Sequence, residues 1–209
     1  MAHALDLVGE RWALLVIREL LLGPKRFTDL RSGLPGISPN ILTLRLRELG
    51  DAGIVRHGTL PPPASHQIYE LTPYGRELET VIEGFGRWAL RSPSLSLTGT
   101  RSKDSQVLLL SILFSPAAAG NVTVDLGLCL SGEHFRMRVA DRRISLSRGL
   151  ARDPDATVET SVRVLHALLS GKRSLTELVG SGDMSVFGDR AAVERLPGLF
   201  AYPRNIGAA

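Results

Sequence analysis

The sequence predicts an α+β fold in two units, and three observations predict it. Apolar residues recur at helical spacing through roughly the first ninety positions, with one short hairpin pattern near their middle. A polar, small-residue stretch, RSPSLSLTGTRSKDS from Arg91, then interrupts the text. Beyond it, apolar and polar residues alternate at period two before helical spacing returns. With 209 residues, 44% of them hydrophobic, the chain can supply two small cores. The expected division is residues 1–91, a linker at 92–105 and residues 106–206, the last an antiparallel sheet covered by helices.

Residues 4–22 read as one helix. Leu5, Val8, Trp12 and Leu15 form one apolar stripe, and Leu14, Ile17 and Leu21 form another. Apolar surface on two sides exceeds what one small unit covers. The helix is therefore either a central core helix or a core helix with a dimer face, and the second reading is favoured. Gly23-Pro24 stops it. RFTDLRS, Arg26 to Ser32, suits a short second helix with Phe27 and Leu30 inward. Ser38-Pro39 then opens a third, since serine caps well and proline lacks only an N–H that would be unpaired at the first position. This helix runs to about Ala52 and ends at Gly53.

Within it, Leu42, Leu46 and Leu49 share a narrow arc, while Asn40, Thr43 and Arg47 cluster opposite, with Leu44 at their edge. A plain solvated face is the usual fate of such a cluster. This one, however, is short polar side chains plus arginine and not a Glu/Lys mixture. A strand pair follows, Ile54 to His57 and Gln67 to Leu71, around the proline-rich loop GTLPPPASH. Helix, turn, helix, hairpin is the order of a winged helix-turn-helix. The second helix of that motif enters the major groove, where asparagine pairs with adenine and arginine with guanine. Asn40, Thr43, Leu44 and Arg47 are the candidate base readers. Lys25, Arg26, Arg31, Ser38, Arg45, Arg56, His57 and His66 are the candidate phosphate and wing contacts, Ser38 through the helix N-terminus. Residues 23–60 hold six Lys or Arg against three acids. Thr72-Pro73 opens a further helix over 73–91, with Leu78, Val81, Ile82, Phe85 and Trp88 apolar. It is either core or, with helix 4–22, a homodimer surface.

The segments ALDLVGERWALLVIREL, LLGPKRFTDLRSGLPGIS, LRLRELGDAGIVRH and YELTPYGREL, in that order, resemble the HxlR-type transcription regulators, relatives of the MarR-type proteins. The resemblance implies a homodimeric, cytoplasmic bacterial regulator that binds pseudo-palindromic, double-stranded operator DNA. In that family a cysteine usually precedes the ALDLVG-like segment. Met1 to His3 carry none, so cysteine sensing by that route is not expected.

In the second half, VLLLSILF (residues 107–114) suits a buried helix. Val122 to Leu130 alternates as a strand, Ser131-Gly132-Glu133 turns, and Phe135, Met137 and Val139 alternate with Arg136 and Arg138. Ile144, Leu146 and a strand at Ala156 to Thr160 extend the sheet. Val162, Leu165, Leu168, Leu169, Leu175 and Leu178 supply a helical cover. Gly180-Ser181-Gly182 matches no phosphate-loop spacing and reads as a turn. Residues 189–200 close the unit with a helix. FRMRVADRRISLSRG and DPDATVETSVRVLHALLSGKRSLTELVGSGDMSVFGD resemble the sterol carrier protein type domain (SCP2-like), which implies an apolar tunnel for acyl chains, sterols or similar ligands. Candidate lining residues are Phe135, Met137, Leu165, Leu168, Leu169, Met184, Val186 and Phe187, although plain core is the commoner fate of any one of them.

A net charge of +4 permits nucleic-acid binding without arguing for it. A single cysteine, Cys129, excludes an intrachain disulfide and fits a reducing cytoplasm. No apolar run approaches the ~20 residues of a membrane span, the first residues lack a signal-peptide layout, and Asn121-Val122-Thr123 is an empty glycosylation match. No catalytic set, metal spacing or cofactor fingerprint emerges from the scattered histidines and carboxylates. The expected function is a ligand-responsive transcription regulator with an apolar small-molecule effector in its second half. The alternative is a lipid or small-molecule carrier whose winged-helix half serves only dimerisation or protein contacts.

Overall fold

The computed structural model describes residues 1–59, 66–93 and 102–202, in two compact units. Most of the wing loop, the middle of the expected linker and the last residues of the expected second unit lie outside the described residues. The first unit comprises Met1–Gly86 and Gly99–Ser105; the second comprises Arg87–Thr98 and Gln106–Ala209.

In the first unit, the helix expected over 4–22 is two: α1, Ala2–Val8, and α2, Ala13–Leu20. Gly9 ends α1, its N–H donating to Leu5 O at 2.7 Å, and a Cβ there would stand 2.4 Å from that oxygen. Glycine costs a helix interior about 1 kcal/mol, so the chain breaks where it sits. The buried stripe of α2 is Ala13, Val16, Ile17 and Leu20, while Leu5 on α1 is exposed. α3, Phe27–Gly33, buries Leu30. α4, Pro39–Asp51, starts as its sequence requires: Ser38 caps it by accepting the Ile41 N–H, and Pro39 takes the first position. Gly53 follows with φ +69°, the left-handed conformation that ends a helix.

Strands β1, Val55–Thr59, and β2, Gln67–Leu71, form the antiparallel hairpin, with His57 facing Tyr69. Lys25 adds a third short edge by exchanging backbone hydrogen bonds with Tyr69. The trailing helix is again divided, into α5, Pro73–Arg76, and α6, Leu78–Ala89. The first turn is pinned to the strand: Thr72 Oγ1 accepts the Gly75 N–H and donates to Gly53 O. Gly75 lies so close to β1 that a Cβ there would meet Ile54 O at 2.1 Å. No residue of α6 is buried.

α7, Lys103–Leu113, begins before the expected apolar run, and α8, Pro116–Ala119, follows it. The second unit's sheet has the order β5-β4-β3-β6-β7, from β3 (Val124–Leu130), β4 (Glu133–Ala140), β5 (Arg143–Arg148), β6 (Ala156–Thr160) and β7 (Met184–Gly188). It is mixed and not purely antiparallel, because β3 and β6 run parallel. Strand β6 joins on the far side of the β3–β4–β5 meander, so residues 149–155 cross the sheet instead of turning back in a hairpin. Gly127 gives this crossing room: a Cβ there would stand 3.6 Å from the Ala151 Cβ and 3.1 Å from Thr157 Oγ1. Ser131 and Gly132, both at positive φ, make the two-residue turn between β3 and β4.

One sheet face is apolar throughout, with Val124, Leu126, Leu128, Leu130, Phe135, Met137, Val139 and Val158 buried. α9 (Val162–Leu169), α10 (Leu175–Gly180) and α11 (Arg190–Glu194) supply Leu165, Leu168, Leu178 and Val193 to the same core.

Candidate nucleic-acid interface

α4 has two chemically distinct sides. Leu42, Leu46 and Leu49 are buried. Asn40, Thr43, Leu44 and Arg47 are exposed together on the other side, and the Arg47 side chain is 79% accessible with only Asp51 near it, at 3.8 Å. Thr43 does not present its hydroxyl, since Oγ1 donates to Pro39 O at 2.9 Å. The side-chain donors this face offers are therefore those of Asn40 and Arg47.

The eight expected phosphate and wing residues separate into groups. Arg31 and His66 are exposed. Arg26 is exposed and bonded to Asp29; burial works against the Asp29 charge, but the Arg26 hydrogen bond and charge hold its carboxyl below the usual range. Arg56 reaches Glu70 across the hairpin at 2.9 Å, and His57 packs on the Tyr69 ring at 4.3 Å between centroids. Ser38 is occupied as the α4 cap. Two assignments need correction. Arg45 is largely covered, salt-bridged to Glu48 at 2.5 Å and near Glu10 at 3.8 Å, so it ties α4 to the segment after α1. Lys25 is 6% exposed, and its Nζ lies 2.7 Å from Glu19 and 2.8 Å from Asp104, both fully buried. The backbone exchange with Tyr69 turns Lys25 inward, where two carboxylates take the place expected for a phosphate.

That buried cluster escaped the sequence reading. Glu19 accepts from Lys25, from Arg18 at 2.9 Å and from the Ser102 hydroxyl at 2.6 Å. A lone acid on the apolar stripe between Val16 and Leu20 was the available signal. Asp104, within a stretch that reads as linker, gave none. Ile41 was also missed; it is 37% exposed beside Leu44.

In the second unit, Phe135, Met137, Leu165, Leu168, Leu169 and Met184 are all buried, and Val186 is half-buried. Phe187 is 58% exposed and cannot line the same interior. Adjacent strand residues face opposite ways: Val186 pairs with Val158 on the core side, and Phe187 with Thr157 on the outer side. His166 is anchored on both ring nitrogens, to Tyr202 Oη at 2.5 Å through Nδ1 and to Gln106 O at 3.1 Å through Nε2. A carbonyl only accepts, so Nε2 carries the proton and Nδ1 accepts from the tyrosine, whose hydroxyl burial pushes well above its ordinary range. Cys129 is half-buried opposite His134 on the outer side of the sheet. Among the described residues no group of three or more His, Cys, Asp or Glu is placed to hold a metal, and no helix is long and apolar enough to cross a membrane.

A short helix, a capped helix with a free polar face and an antiparallel hairpin, in that order, define a winged helix-turn-helix protein. A family model described as HxlR-like helix-turn-helix matches residues 7–94, and one described as the SCP-2 sterol transfer family matches residues 120–201. The HTH-type transcriptional regulator YodB of Bacillus subtilis is 39% identical over 89 residues, which are 43% of this chain and 80% of that protein. An HTH-type transcriptional regulator of Synechocystis is 41% identical over 80 residues, 38% of this chain and 59% of its own length. The solved reduced form of YodB superposes with a TM-score of 0.41 at 37% identity, covering 45% of this chain and 92% of that one. The chain belongs to the HxlR-like helix-turn-helix family, and it carries an SCP-2 type domain behind that head.

Proposed function

We propose that the protein is a transcription regulator that binds operator DNA as a homodimer, with α4 in the major groove and an apolar effector held by the second unit. The observation that carries the reading is the exposed face of α4, where Asn40 and Arg47 are exposed donors on a helix whose other side is core. Arg31 on α3 and Arg26 just before it, with Arg56 on β1, supply phosphate contacts. The dimer surface is α6 with α1: Val81, Phe85 and Trp88 are exposed at helical spacing, as is Leu5. An effector acts by preferring one DNA-binding state over another. Its place is the SCP-2 type core around Phe135, Met137, Leu165 and Met184.

The test is recovery of a two-fold symmetric site from random DNA by the purified chain. Asn40→Ala and Arg47→Ala should each weaken that site by ~1–3 kcal/mol, leaving non-specific affinity and thermal stability unchanged. Equal binding by both variants and the wild type removes α4 as the base reader. The carrier reading gains if DNA binding shows no salt dependence, since each phosphate contact steepens the slope by about 0.9.

A further inference from the structure

Resting on the assignment of α4 to the major groove, we infer that the central element it reads is the 5-methyl group of thymine, through Leu44 and Ile41. At 100° per residue, Leu44 points about 190° from the centre of the buried stripe, the outermost direction on the helix. It is 41% exposed and Ile41 is 37% exposed, three residues apart on adjoining surface. Large aliphatic side chains at the middle of a solvated helix face serve no purpose within the first unit, whose core is filled by the opposite row.

Thr43 adds to the same surface. Its hydroxyl hydrogen is spent on Pro39 O, so it has no free donor for a base edge; the oxygen can still accept, and the methyl adds to the apolar surface. The outer face thus presents apolar groups between one amide, Asn40, and one guanidinium, Arg47. Of the base edges in the major groove only thymine offers an apolar group, and leucine or isoleucine excludes the amino group of cytosine or adenine from that position. A second protein chain is disfavoured as the occupant, because Arg26, Arg31 and Arg56 stand on the adjoining elements and suit a polyanion. Asn40 and Arg47 are separated by about 10 Å along the helix, at ~1.5 Å per residue. That is roughly three base-pair steps, at ~3.4 Å each. Each half-site should therefore carry an adenine and a guanine about three steps apart with thymine between them.

The experiment uses the full chain and the site it selects from random DNA. Each thymine of that site is replaced in turn by deoxyuridine, which keeps the pairing and removes only the methyl. The expected result is a loss of about fourfold at one or two thymines per half-site, the worth of one buried methyl-sized group. In Leu44→Ala or Ile41→Ala that loss should vanish at the matching thymine. Leu44 is 41% and Ile41 37% exposed, so any loss of melting temperature in the variants should be small and would weaken binding alike at every thymine tested, unlike the methyl-specific loss. If a site is selected but uracil is tolerated throughout, the thymine inference fails and the base-reading assignment stands. If uracil weakens the wild type and both variants alike, another residue reads the methyl and the inference fails. If no site is selected, the assignment of α4 fails and this inference with it.

Discussion

The second unit closes its core and the first does not. In the second, every inward residue of β3 and β4 is buried, and the exposed Leu150 and Phe187 stand singly on the sheet crossing and on β7. In the first, the part of α6 up to Gly86 repeats apolar residues at helical spacing and buries none of them, with Phe85 56% exposed. An amphipathic helix forms to cover its apolar side. The sheet does this with its own helices, whereas α6 displays a surface that a second copy would cover. The first unit also keeps charge inside, in the Glu19–Lys25–Asp104 cluster, where the second keeps its ion pairs at the margin, as between Asp125 and Arg136.

The sharpest way to break this contrast is Lys25→Ala. It removes the buried cation that bridges Glu19 and Asp104, leaving Arg18 on Glu19, and should cost about 3–5 kcal/mol, read as denaturant unfolding of the first unit with the second unaffected. A loss well under 1 kcal/mol would mean that water reaches the cluster. Next, Phe85→Ala and Trp88→Ala should each weaken self-association by ~2–4 kcal/mol without lowering monomer stability, as measured by sedimentation over a concentration series. Unchanged association would free α6 for another role.

Smaller effects belong to the surface pairs. The Arg136 hydrogen bond, opposed by partial burial and helped by the Arg136 and Arg138 charges, holds the Asp125 carboxyl below its ordinary 3.8. A depressed folded value stabilises above the unfolded value and fades as pH falls through the folded one. Asp125→Asn should accordingly cost about 0.5–1 kcal/mol at neutral pH and nothing in strong acid, by melting across that range. Smallest of all, Arg31→Ala should lower the salt slope of DNA binding by about 0.9 and leave stability untouched.

What the residues disclosed follows from where each interaction lives. Caps and stops are local, and Ser38-Pro39, Thr72-Pro73 and Gly53 act in the structure as their chemistry demands. Period-two alternation identified the sheet strands and the division of Val124 to Leu130 between core and outer side. Direction was less legible: nothing in residues 149–155 announces that they cross the sheet and set β6 parallel to β3. Long-range pairing was illegible too, which is why Lys25 read as a surface cation and Asp104 as linker. The polar face of α4 stood out because short polar side chains plus arginine differ from the Glu/Lys mixture of a merely solvated helix, with a short helix before it and a hairpin after it. An apolar pocket has no such mark, since Phe135 or Leu168 looks the same beside a ligand as beside a neighbour.

The buried cluster bears on how such proteins are assembled in evolution and in the laboratory. The family match stops at residue 94, yet one of the two carboxylates that neutralise Lys25 arrives at residue 104. A head cut at the family boundary would keep the Lys25–Glu19 pair but lose the second carboxylate that Lys25 holds and the Ser102 hydroxyl that donates to Glu19. The structural unit thus reaches about ten residues beyond the segment that the family model matches.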